Sequence, residues 1–206
     1  MAEATRTRIL TEATRLFAAH GIKATTIAQI EEAVGLRPGS GGVHRYYATK
    51  DDLVRGVLDA QLTRGSEVRA EAAAWERPTP DQVPAFLSQL GRFMLTHADE
   101  NRDVALIMLR EAHNLPPGML EDHEARNLDL AYATTAAAIR ASQATAGIDE
   151  LDADALAFLV VAPLVYYRLI EWATGQKILD LDDDRLIAAW VDTFAPIFTR
   201  LAGDHT

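Results

Sequence analysis

Residues 26–47 read TIAQIEEAVGLRPGSGGVHRYY. Thr26 and Gln29 stand three apart, the capping-box spacing in which a hydroxyl and an amide satisfy each other's helix-end N–H groups. They predict a short helix that runs to Val34 and is closed by Gly35. The next eight residues, 35–42, hold four of the chain's twelve glycines, which predicts a turn. Ser40 is a suitable cap for a third short helix through Tyr47. Two glycines at its start cost about 1 kcal/mol each relative to Ala, which a stability-driven sequence would avoid. On such a helix Val43 and Tyr47 share the inward face. Ser40, Gly41, His44 and Arg45 point outward.

Working outward, Ile9, Ala13, Leu16 and Phe17 form one apolar stripe of a first helix over 4–19, ended by Gly21. Thr49 caps a long helix over 50–75, with Leu53, Val57, Leu58 and Leu62 on one face. Lys50 sits at its N-terminus, where the helix dipole disfavours a cation by about 0.3–1 kcal/mol. A helix N-terminus plus a lysine is, however, a good phosphate site. After Pro78, Pro80 and Pro84, helices are expected over 81–98, 102–113, 119–146, 152–175 and 183–201. Nothing reads as a strand. The sequence is therefore all-α, with about nine helices: an N-terminal three-helix domain over 1–49, then a larger helical domain over 50–206 whose first helix is the connector.

The chain has 206 residues and a formal net charge of -10. Taken whole, that charge repels phosphate. It is unevenly spread: residues 1–65 hold nine basic and seven acidic side chains, and all the net negative charge lies beyond them. Cysteine is absent, which removes disulfides, thiolate metal sites and a Cys nucleophile. None of the six histidines has Glu three residues before it, as a di-iron bundle site needs. No G-x-S-x-G, P-loop or G-x-G-x-x-G pattern occurs. The expectation is a protein that is not an enzyme and has neither cofactor nor metal. The N-terminus lacks an apolar signal-peptide core. The longest uncharged apolar run, 155–167, falls short of the roughly 20 residues that span a bilayer. Both point to a soluble cytoplasmic protein.

A helix, a glycine-containing turn and a second helix make the helix-turn-helix pattern. Residues 7–58 resemble the DNA-binding domain of the tetracycline-repressor (TetR/AcrR) family of bacterial regulators. Ile9, Leu10, Ala13, Phe17, Gly21, Thr26, Ile30, Gly35, Lys50 and Leu53 carry the likeness. Departures are Glu31 and Val34, where the family usually has Ala, and His44, Tyr46 and Tyr47 at its usual Tyr, His and Phe. The turn through Arg37-Pro-Gly also reads two residues longer. Glu31 in a small buried position predicts shifted helix packing. The DNA-contacting set expected here is Thr26, Arg37, Ser40, Gly41, Gly42, His44, Arg45, Tyr46 and Lys50.

The resemblance implies a homodimer built by the last two helices, near 152–175 and 183–201. The residues agree, since 155–167 is apolar all round and must be buried on most faces. A dimer would set two recognition elements on successive major grooves of a palindromic operator. The resemblance also implies a small-molecule effector pocket among the middle helices, for which Phe86, Phe93, Met94, His97, Met108, His113, Met119, Tyr132 and Trp172 are the candidate lining. The expected function is a repressor released from its operator by that effector. The alternative is a helical protein-interaction module with a TetR-like fold that no longer binds DNA.

Overall fold

Ile9, Ala13, Leu16 and Phe17 are buried along α1 (Ala2–His20), as a 3.6-residue period requires. The computed structural model describes residues 2–128, 132–148 and 150–203. Among these residues it is helical without strands. α2 (Ile27–Ala33) is short, α3 (Lys50–Ala73) is long, and one 3₁₀ turn, Val43–Arg45, lies between them. There follow α4 (Val83–Glu100), α5 (Arg102–Glu111), α6 (Met119–Leu128), α7 (Thr134–Ala146), α8 (Ala153–Thr174) and α9 (Asp183–Ala202). Of the helix expected over 119–146, α6 and α7 are described, with Tyr132 and Ala133 helical just ahead of α7; residues 129–131 lie outside the described residues. The short third helix expected over 40–47 is only the Val43–Arg45 turn, for a reason given below.

The chain packs as two compact units, Met1–Gly65 with Asn101–Arg126, and Ser66–Glu100 with Asn127–Thr206. In the first, α1, α2, the first half of α3 and α5 enclose Phe17, Ile30, Val43, Leu53, Leu58 and Ile107. Each such side chain contributes about 1.5–3 kcal/mol on burial. α5 and α6 therefore pack with the N-terminal helices, although they follow them by some fifty residues.

In the second unit α4, α7, α8 and α9 pack on one another. Gly91 leaves a notch on α4, against which Ile187 and Trp190 of α9 lie. The Trp190 indole N–H donates to the Val160 carbonyl at 2.9 Å, so the ring's polar edge is satisfied inside the core. Asp152 caps α8 by accepting the N–H groups of Asp154 and Ala155. Asp182 caps α9, with Asp183 and Asp184 adding negative charge where the dipole favours it. α8 fills the helix expected over 152–175. It is the one described helix long and apolar enough to cross a membrane. One side of it is core, with Leu156, Val160, Leu164 and Tyr167 buried. The other side exposes Phe158, Leu159, Val165 and Tyr166.

Arg168, only 7% exposed, ties α8 to its neighbours. It meets Asp183 at 2.6 Å, Asp99 at 3.0 Å and Glu171 at 3.1 Å. The hydrogen bond from Arg168 holds the Asp183 carboxyl below its ordinary value, against a smaller opposing effect of burial. Arg168→Ala is expected to cost about 1–3 kcal/mol in chemical denaturation. That is less than the loss of a fully buried pair, because the stranded carboxylates still reach water. The sign of the pH effect follows from the depressed carboxyl. Its contribution is complete above the unfolded value of 3.8 and is lost as pH falls through the lower folded value. Acid unfolding of the variant should therefore be shallower than that of the wild type in this range.

Candidate nucleic-acid interface

The capping box at the start of α2 forms as its sequence demands. Thr26 Oγ1 accepts the Gln29 N–H at 3.2 Å, and Gln29 Oε1 accepts the Thr26 N–H at 2.7 Å. Arg8 of α1 donates to the Val34 carbonyl at 2.6 Å, a cation on the C-terminal end of α2. Asp52 and Thr49 make the same reciprocal cap at the start of α3, with both backbone bonds at 3.0 Å. These caps and the Arg8 bond fix the two helix ends between which the 35–49 segment must run.

That segment is organised by Glu31. Its side chain is 1% exposed. Oε2 accepts the Gly39 N–H at 2.6 Å and Oε1 the Val43 N–H at 3.3 Å. The Gly42 and Ser40 amides also lower its pKa, although the Ser40 N–H itself donates to the Arg37 carbonyl at 3.1 Å. Burial alone would raise the carboxyl's pKa, but the four amides together outweigh it and hold the group below its ordinary value. Gly39 and Gly41 adopt φ of +73° and +71°, a left-handed geometry open to glycine, and this lets successive N–H groups converge on one anion. A backbone wrapped around a carboxylate in this way cannot also be α-helical. The expected helix over 40–47 is therefore reduced to one 3₁₀ turn. Sequence reasoning marked Glu31 as a departure but did not foresee its role; the signal was an acid beside a glycine-rich turn.

The turn still sorts its side chains as expected. Val43 and Tyr47 are buried. Arg6 Nε donates to the Tyr47 hydroxyl at 3.2 Å, and its guanidinium lies 5.7 Å from the ring centre. His44 and Arg45 are exposed, as are Arg37 and Ser40. Among the described residues the side chains of Arg37 and Arg45 make no hydrogen bond or ion pair. The His44 Nδ1 lies 3.1 Å from the Ala48 carbonyl. A carbonyl only accepts, so Nδ1 is the donor in this bond. Gly41 and Gly42 are half-buried. Tyr46 leans on the core rather than standing free. Thr26 spends its hydroxyl on the α2 cap. Lys50 Nζ reaches the Lys23 carbonyl at 3.4 Å, and partial burial lowers its pKa against the opposing effect of Asp51.

Residues 9–57 match the sequence pattern of bacterial regulatory proteins of the tetR family. The chain therefore carries an N-terminal domain of the tetR family. It is 30% identical over 132 residues to the HTH-type transcriptional regulator TcmR of Streptomyces glaucescens, a match that spans 61% of this chain and 55% of that one. The fatty acid degradation regulator FadR of Bacillus halodurans shares its fold, with a TM-score of 0.63 at 14% identity over 97% of this chain and 98% of FadR. AibR, solved with isovaleryl coenzyme A and operator DNA, superposes with a TM-score of 0.62 at 16% identity, covering 93% and 98%. The TetR-family helix-turn-helix of this chain is α2, the Glu31-held turn and the residues up to Lys50.

The nine residues expected to line an effector pocket are divided. Met108, His113 and Met119 belong to the first unit, where Met119 is core. Phe86, Phe93, Met94, His97, Tyr132 and Trp172 belong to the second. There Phe86 and Phe93 pack edge-on against Trp75, with ring centres 6.0 and 5.0 Å away. Tyr132 stacks on Phe158 at 5.8 Å. His97 lies 3.7 Å from Glu100. Among the described residues no cluster of His, Asp or Glu is arranged to hold a metal.

Proposed function

We propose that this protein is a cytoplasmic transcriptional regulator that binds a palindromic DNA operator as a homodimer, and a repressor released by a small-molecule effector. The observation that carries the reading is the exposed His44–Arg45 turn, held rigidly between α2 and α3. It offers an imidazole and a cationic guanidinium fork to base edges and phosphates. The DNA-facing segment is only weakly basic, so affinity rests on a few placed contacts and falls steeply with salt.

Dimerisation through α8 and α9 is supported by the exposed residues of α8. Phe158, Leu159, Val165 and Tyr166 recur at helical spacing, opposite the side that forms the core. Two copies of that stripe make an isologous contact. The effector is expected to favour a conformation that does not match the operator, which shifts the population off DNA. AibR was solved with an acyl coenzyme A, and FadR is named for fatty acid degradation; an acyl coenzyme A is therefore the first effector class to try.

The test is selection of bound sequences from a random DNA pool by the purified protein, repeated with acyl coenzyme A thioesters of graded length. An enriched palindrome whose binding a thioester weakens is the expected result. No enrichment at modest salt would overturn the reading.

A further inference from the structure

We infer that Glu31, which never reaches the surface, sets the base preference of this protein by fixing the shape of its DNA-facing turn. The inference rests on the operator-binding reading above. Three observations carry it. The Glu31 carboxylate is the hub of the 39–43 backbone, taking the Gly39 and Val43 N–H groups directly. The turn it holds packs on Leu36, since a Cβ at Gly42 would lie 2.8 Å from Leu36 Cδ1 and make that side chain shift, and would stand in van der Waals contact with Glu31 Oε1 at 3.6 Å. His44 and Arg45, the exposed polar residues nearest the bases in the proposed complex, follow directly from Val43, the last residue bonded to that carboxylate.

A side chain's reach to a base edge is decided by where its Cα stands. In an α-helix hydrogen bonds to the preceding turn fix that point. Here the corresponding bonds go to Glu31. A neutral or shorter residue at 31 takes this acceptor from the Gly39 and Val43 N–H groups, the second of them buried, and the turn must find another shape to satisfy them. Glu31 is thus a positioning residue. Its charge, half-surrounded by amides, is also shielded from the phosphates that the turn approaches.

The test is the same random-pool selection, run with the wild type, Glu31→Ala and Glu31→Gln. Amide exchange over 36–45 and a thermal melt are measured on each protein. A role in stability alone lowers the folded fraction, which scales affinity for every sequence equally and leaves their ranking unchanged. A positioning role changes the ranking. We expect Glu31→Ala to exchange its 39–43 amides faster. Its discrimination between the wild-type half-site and single-base variants of it should fall at least about fivefold, the lower end of one base contact. Glu31→Gln keeps the size and one acceptor but turns an N–H₂ toward N–H donors. It should fall between the two, and it carries the test where Glu31→Ala does not fold. A folded variant that selects the wild-type half-site with undiminished discrimination overturns the inference while operator binding stands. A wild type that enriches no sequence overturns the operator-binding reading, and this inference with it.

Discussion

Arg45→Ala is expected to weaken binding to the selected operator by about 1–3 kcal/mol, or about 5- to 150-fold, and to relax preference at one base of each half-site. The argument is one of geometry before charge. Arg45 is exposed beside a buried anchor, Val43. Among the described residues no carboxylate claims its guanidinium. The unbound side chain therefore gives up little on reaching a base. Lys50→Ala makes a useful contrast. Its ammonium already touches the Lys23 carbonyl at the start of α3, a helix N-terminus suited to a backbone phosphate. Its loss should weaken all sequences alike and reduce the salt slope by about one. Competition binding at two salt concentrations separates the two patterns. If Arg45→Ala leaves affinity within about twofold, the turn is not the reading element.

A larger loss is expected from changes on α8. Leu159→Glu combined with Tyr166→Glu places two charges per protomer on the uncovered stripe of α8, where the side chains are 54% and 59% exposed. In the isolated protomer these charges stand in water, so the protomer should still fold, though it loses the stabilisation that dimerisation adds. Across a two-fold interface they would bury four like charges without partners. The variant should be monomeric by light scattering. Operator affinity should fall at least about 100-fold, because the second half-site is no longer held at a high effective concentration by the first. A variant that remains dimeric would show that the contact lies elsewhere.

Much of this architecture was legible in the order of the residues, for a local reason. The α1 stripe, both Thr caps and the apolar α8 are set by side chains within a turn or two of each other. The sorting of Val43 and Tyr47 inward, with His44 and Arg45 outward, was legible too, since even one turn keeps that spacing. The path of residues 39–43 was not. It depends on a carboxylate eight to twelve residues upstream, and propensity scales have no place for such a bond. The division of the candidate pocket residues was equally hidden. Trp75 engages both Phe86 and Phe93, and that pairing follows from how the chain folds back after α3, not from any period in α4.

The bond between Glu111 and the start of the reading head has a practical consequence for building hybrid regulators. Glu111, the last residue of α5, accepts the Ile22 N–H at 3.0 Å and the Asn114 side-chain amide at 3.1 Å. It also crowds Gly21, where any Cβ would lie 3.0 Å from its carboxylate. A graft that exchanges only residues 1–49 would set a foreign loop against this acid. The natural cassette is discontinuous: the N-terminal 65 residues together with 101–126, lifted as one piece. Chimeras joined at those seams keep the packed surface intact, whereas a single cut after residue 49 divides it.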